Sequence, residues 1–238
     1  MRCAGLERAV QAGIDEAGRG PVVGPLVVAG VMVDDPARLA EMGCRDSKML
    51  SPAKREAIDR LLRREPGVRI EVRVVEAPVL DAERARLSLN AIEAERFRDI
   101  ALALQPSILY VDAADTDAKR FGRLVARGLP RGTKVVSEHK ADDTYPVVGA
   151  ASIVAKVARD AAIANLARRL ERGLDGALPL GSGYAHDDRT RAFLQAWLAR
   201  YGDLPEGTRR SWATVHEMLA PRKATLDEFA PAVPRLAD

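Results

Sequence analysis

The chain has 238 residues, 47% hydrophobic and 30% charged, with a formal net charge of +3. That length suffices for one sizeable core, and the balance excludes a disordered or fibrous chain. So small a cationic excess leaves an anionic partner open without establishing one, and no apolar run approaches the roughly 20 residues of a membrane span. The N-terminus lacks a basic stretch followed by an apolar one, and Cys3 and Cys44 form no CxxC or paired framework, so a reducing cytoplasm is expected.

Clustered β-branched residues predict strands near Ala12–Asp15, Val22–Val33, Val68–Val75, Ser107–Asp112 and Thr133–Glu138. Helical patterns separate them. Ser51-Pro52 opens the first in the N-cap and N1 arrangement, with Ala57, Ile58, Leu61 and Leu62 at helical spacing, and Pro66-Gly67 closes it. Asn90–Leu104 and Asp117–Arg127 give two more, stopped by Pro106 and Gly128. The longest runs from about Val148 to Arg172, where Arg168, Arg169 and Arg172 suit the negative end of the helix dipole. A strand pair followed by alternating helices and strands predicts an α/β domain with a mixed sheet. Beyond Gly181 come turn residues and short helices at Asp188–Arg200 and Ser211–Leu219, readable as a small helical lobe, and 221–238 reads as a tail.

Acids mark the ends of several predicted strands. Asp15 and Glu16 close the first, Asp112 closes a later one, and Asp142 follows the last and precedes the long helix. Strand ends of one sheet can converge, and clustered carboxylates repel unless a cation occupies the gap. Mg2+ suits oxygen ligands of this kind. There is no HExxH, and His139, His186 and His216 form no zinc-type spacing with the cysteines. The glycines at 18, 20 and 24 in GRGPVVG fit neither GxGxxG nor a P-loop. They read either as a tight hairpin turn or as a backbone that approaches a ligand closely, with Arg19 between Gly18 and Gly20 to hold a phosphate.

The stretches GIDEAGRGPVVGPLVVAGV, RDSKMLSPAKRE, ILYVDAAD, SEHKADDTYPVVGAASIVAKVARD and GSGYAHDDRTRAFL, with RRSW beyond them, resemble ribonuclease HII, the type 2 ribonuclease H, across most of residues 12–212. The chain ending and the compact HKAD block look most like the archaeal branch. The resemblance implies a ribonuclease H-like fold with a helical C-terminal extension, and an endonuclease that cuts the RNA strand of RNA-DNA hybrids and nicks DNA duplexes 5′ of an embedded ribonucleotide. It implies Mg2+ or Mn2+ at a quartet of Asp15, Glu16, Asp112 and Asp142, in a two-metal reaction leaving 5′-phosphate and 3′-hydroxyl ends. It assigns Gly18, Arg19 and Gly20 to the ribose 2′-OH and adjoining phosphate, and Tyr184 to stacking at the RNA-to-DNA junction.

The same resemblance places Lys48 near the substrate backbone, a position otherwise read as a solvated loop lysine. Lys140 is a further candidate phosphate contact. Ser152 and Lys156, one helical turn apart, can share a face toward the site or serve as cap and surface. His139 reads as structural, Trp197 and Trp212 as core, and Arg209 and Arg210 as either duplex contacts or solvated charges. Gly149 stands where relatives often have serine, and AHDD replaces the commoner PSDP after GSGY. KATLDEFA, Lys223–Ala230, resembles a sliding-clamp binding box through Leu226 and Phe229, with Lys223 and Ala230 departing from it; a tail helix docked on its own domain is the other reading.

The expected organisation is therefore a catalytic domain over 1–180, a helical lobe over 181–220 and a tail over 221–238, in a monomer without membrane association. Two rivals remain. One is a hybrid-binding protein without catalysis, disfavoured by retention of all four acids. The other is ribonuclease HIII, whose additional N-terminal domain is not expected in the dozen residues before GIDEAG.

Overall fold

The computed structural model describes residues 9–44 and 49–219. Five strands, β1 (Gln11–Ala17), β2 (Leu26–Val33), β3 (Arg69–Val75), β4 (Ile108–Asp112) and β5 (Lys134–Glu138), form one sheet in the order β3-β2-β1-β4-β5. β1, β2 and β3 run antiparallel as a meander, while β4 and β5 are parallel to β1. The mixed sheet predicted from the pattern is present. β2 is buried at every position, because both faces of the sheet are covered there and its sequence LVVAGVMV is apolar throughout.

Nine helices are present among the described residues: α1 (Pro36–Glu41), α2 (Pro52–Leu62), α3 (Ala77–Arg84), α4 (Leu89–Leu104), α5 (Ala118–Val125), α6 (Ala141–Thr144), α7 (Pro146–Gly173), α8 (Asp188–Tyr201) and α9 (Ala213–Leu219). α7, with α1 and α2, covers one face of the sheet, where its Val148, Ala151 and Ile153 join Val27, Ala29 and Val31 in one core cluster. α4 and α5 cover the other, packing Phe97, Ile100 and Phe121 on Ile14, Leu109 and Val111. Phe97 and Phe121 meet edge to face at 5.2 Å, an arrangement that adds to their burial. Ser51 caps α2 through its side chain, as its sequence signal requires, and Ser88 caps α4, which begins at Leu89, one residue before the predicted start.

Three short helices, α1, α3 and α6, lie in stretches where no helix is predicted. Asp35 accepts from the Ala37 amide and Pro36 follows it, a cap and N1 pair that starts a helix of only six residues.

The apolar run Val22–Val33 is not one strand. Residues 18–25 form an open connection between β1 and β2, and their amides turn to distant partners. Val22 N and Val23 N donate to Gly183 O, Gly24 N donates to Gly207 O, and Val23 bridges Thr208. A tight hairpin turn is thereby ruled out. The lobe formed by the end of α7, α8 and α9 packs Val22 and Val23 against Leu166, Leu170, Phe193 and Val215. It is thus attached to the sheet through the connection itself.

Candidate active site

β1 and β4 lie side by side, parallel and in step, with Ile14 opposite Val111. Successive side chains alternate between faces, so the next residues, Asp15 and Asp112, arrive together on the α7 side of the sheet. Gly13 lets α7 approach that face: a Cβ there would lie 2.3 Å from the Val147 carbonyl carbon and the Val148 nitrogen. The close crossing brings the turn before α7 onto the strand ends. Lys140 takes the left-handed conformation, φ 57°, and the following amide, Ala141 N, donates to Asp112 Oδ1 at 3.1 Å. Asp142, one residue on, is thereby directed at Asp15.

The result is a cluster in which carboxylate oxygens of Asp15, Asp112 and Asp142 all lie within 4.8 Å of one another. Asp15 and Asp142 are buried. Burial holds the Asp15 carboxyl above its usual range, opposed by the Lys156 ammonium and by the Ser152 hydroxyl that donates to it. Lys156 in turn donates to Ser152 Oγ. The shared face predicted for these two residues is therefore turned toward the acids.

Glu16 points to the opposite side of β1 and stands outside the three-acid cluster. Burial, then the charges of Asp15 and Asp112, push its carboxyl well above the usual range. Its Oε2 is buried and makes no hydrogen bond. Buried carboxylates that repel one another are a poor end state without a cation, and hard oxygen donors at this spacing suit Mg2+ or Mn2+. The residues present therefore fit a divalent ion.

Beside the acids opens a cleft of about 430 Å³ lined by Glu16, the Gly18-Arg19-Gly20 turn, Arg55, Lys156, Arg159, Asp160 and Tyr184. A Cβ on Gly20 would lie 3.8 Å from Tyr184 Cε1, so the turn and the ring face each other across a narrow gap. The Arg159 guanidinium sits 5.1 Å from the Tyr184 ring centroid. The Arg19 side chain is directed away, pairing with the buried Glu93 and donating to Asn90 Oδ1 at 2.6 Å. What Gly18, Arg19 and Gly20 present to the cleft is mainly backbone.

Lys140 is exposed beside Asp112. His139 lies 3.3 Å from Thr116 O, in keeping with its structural reading. Lys48, Leu226 and Phe229 lie outside the described residues. Arg210 pairs with Asp203 at 2.8 Å. Arg209 is neither a duplex contact nor a solvated charge: it is fully buried and its guanidinium is spent on main-chain carbonyls. Arg55 and Arg159 are cleft residues absent from the sequence reading. Arg159 continues the stripe of Ser152 and Lys156 at i+7, a helical spacing that could have marked it. Nothing in the local pattern marks Arg55.

A mixed sheet with acids converging at the ends of neighbouring parallel strands defines the ribonuclease H-like class. Ribonuclease H2 from Pyrococcus horikoshii OT3 has this architecture at TM-score 0.78 and 39% identity, covering 88% of this chain and 96% of that one. Ribonuclease HII of Archaeoglobus fulgidus, solved in complex with PCNA, matches at TM-score 0.76 and 43% identity, with 92% of this chain and 100% of that one covered.

The chain belongs to the ribonuclease HII family, whose model matches residues 12–215. The curated sequence of the A. fulgidus ribonuclease HII is 43% identical over 220 residues, 92% of this chain and 100% of that protein. The protein is accordingly a ribonuclease H family hydrolase, an endonuclease of a family that needs a divalent metal. Among the described residues no helix is long and apolar enough to cross a membrane.

Proposed function

We propose that the protein cuts the RNA strand of RNA-DNA hybrids and nicks DNA duplexes on the 5′ side of an embedded ribonucleotide. The observation that carries this reading is the placement, along one cleft, of the acid cluster, the Gly18-Arg19-Gly20 backbone and the Tyr184 ring. The 2′-OH distinguishes RNA from DNA, and a backbone that approaches the sugar closely can sense it without reading bases. Gly18, at φ 88°, adopts a conformation that favours glycine, and Gly20 brings the backbone of the turn close to the edge of the Tyr184 ring.

Asp15, Asp112 and Asp142 would hold divalent ions, with Glu16 completing the set. Two such ions, when bound, activate water on one side of a phosphodiester and stabilise the departing oxygen on the other. The chain's own residues orient the reaction. Ser152 and Lys156 fix the Asp15 carboxylate, the Ala141 amide fixes Asp112, and Tyr184 stacks at the junction between ribose and deoxyribose. Lys140 and Lys48 contact phosphates. Hydrolysis adds water across the P–O3′ bond: the oxygen of water joins phosphorus, and the proton goes to the departing 3′ oxygen. The products are a 5′-phosphate and a 3′-hydroxyl.

The test is Mg2+-dependent cleavage of two matched duplexes, one all DNA and one with a single ribonucleotide, by the native protein and Asp112→Asn. Nicking of the second duplex alone, by the native protein alone, supports the reading. Equal cutting of both duplexes, or full activity in Asp112→Asn, refutes it. Mn2+ in place of Mg2+ decides which ion serves better.

The A. fulgidus relative was solved with PCNA. The segment Lys223–Ala230 carries Leu226 and Phe229 at clamp-box spacing, and we assign it to binding a sliding clamp. Clamp affinity unaffected by removal of residues 221–238 would dismiss that assignment. We read the protein as a monomer acting in the cytoplasm, the compartment that suits two cysteines without a paired framework.

A further inference from the structure

Arg209 is fully buried, and no ion pair accompanies it among the described residues. Burial, and then the charge of Arg159, bring its pKa down to about 10, still well above neutrality, so it is a buried cation. Isolated buried charge is costly unless its donors are all used. Here Nε donates to Gly24 O at 2.9 Å, Nη1 to Arg19 O at 3.0 Å and Nη2 to Gly18 O at 2.6 Å. The Arg209 amide donates to Val22 O at 2.8 Å, and the guanidinium stacks 4.9 Å from the Trp212 ring centroid. All of these carbonyls belong to the connection between β1 and β2.

Arg159 holds the other side of the same turn. Its Cδ and Nε would lie 2.8 Å from a Cβ on Gly18, its Nη2 donates to Ser182 O at 2.9 Å, and it sits over the Tyr184 ring. One arginine from the C-terminal lobe and one from α7 therefore bracket Gly18, the first fixing the turn and the second fixing the distance from the turn to the ring.

We infer that Arg209 and Arg159 are positioning residues that set the gap between the Gly18-Arg19-Gly20 backbone and Tyr184, and so determine selection of a single ribonucleotide in DNA. This rests on the function proposed above. A long hybrid offers a ribose in every register, whereas a single ribonucleotide offers one productive register. Slack in the gap therefore costs the second substrate more. The cluster of Asp15, Asp112 and Asp142 is built by β1, β4 and α6 without either arginine, so an unchanged Mg2+ requirement is expected.

Arg209→Lys keeps the charge but replaces a planar fork of donors with a point donor that cannot span three carbonyls. Arg159→Met keeps the apolar stem, loses the bond to Ser182 and lies at a less enclosed site, so it decides the matter if Arg209→Lys fails to fold. The measurements are kcat and KM on a single-ribonucleotide duplex and on a long RNA-DNA hybrid, with the Mg2+ concentration for half-maximal rate on each. Displacements near 1 Å cost rates up to about a hundredfold, so a loss at least tenfold greater on the single-ribonucleotide duplex is expected, with the Mg2+ midpoint unchanged. Equal losses on both substrates, a shifted Mg2+ midpoint or no loss at all would overturn the inference. A native protein inactive on the single-ribonucleotide duplex overturns the parent reading, and this inference with it.

Discussion

Asp112→Asn tests whether the acid cluster is held together at a cost to the fold. Asn is nearly isosteric and its Oδ1 can still accept from Ala141 N, so the substitution removes charge with little change of shape. At 4.8 Å, two ionised carboxylates repel by about 3.5 kcal/mol at an effective dielectric of 20. Asp112 faces two such partners, Asp15 and Asp142, but the Lys156 ammonium beside Asp15 offsets part of the repulsion. A net gain of about 1–2 kcal/mol remains for the metal-free variant, raising Tm by roughly 2–8 °C. Added Mg2+ reverses the order. At a hundred times its Kd the ion stabilises the native protein by about 2.7 kcal/mol, and the variant gains little. Thermal unfolding with chelator and with Mg2+, beside the cleavage assay, reads all of this. Cleavage should fall by more than about a hundredfold, since even groups behind the ligands cost 10–100-fold. A metal-free variant less stable than the native protein, or an undiminished Mg2+ shift, would refute the reasoning.

Three further outcomes follow from particular contacts. Gly149→Ser would place a Cβ 2.3 Å from Cys44 O and 3.1 Å from Asp142 O, so destabilisation of about 1–3 kcal/mol is expected in urea unfolding. An unchanged midpoint would mean that the chain at Cys44 yields freely. The Cys44 thiol, raised to about 12 by burial, keeps its proton at pH 8; in a Cys3→Ser background its reaction with a disulfide reagent should be about a thousandfold slower than in the unfolded chain. The folded state binds that proton more tightly, so this contribution to stability is complete below the ordinary thiol range and is lost as pH rises through it toward 12. Labelling at the unfolded rate would show that the site is open. Lys140→Met should make the dependence of log K for duplex on log salt shallower by about one, as removal of one phosphate contact does, and an unchanged slope would exclude that contact.

The sheet, its mixed sense and the convergence of Asp15 and Asp112 were legible because they depend on local pattern: apolar runs ending in an acid, a helix opened by Ser51-Pro52 and helices closed by Pro or Gly. What escaped depends on partners far along the chain. Val22 and Val23 look like the start of β2, yet their amides bond Gly183, which no local rule reveals. Arg209 sits next to another arginine in a polar stretch and looks solvated, yet backbone carbonyls from residues 18, 19 and 24 enclose it. Arg19 looked like a phosphate contact because glycines flank it, and its side chain instead answers the buried charge of Glu93. Helices α1 and α3 are so short that their apolar period barely repeats, leaving Asp35-Pro36 as the only strong local sign of α1.

The bonds from Arg209 to Gly24 and Gly18 span 185 and 191 residues. A chain emerging vectorially from the ribosome exposes Asp15, Asp112, Asp142 and α7 while Arg209 is still enclosed in the exit tunnel. The turn beside them acquires its anchors only at the end. A nascent chain thus passes through a stage with its acids exposed and its selective turn still slack, and the late arrival of one arginine completes the cleft.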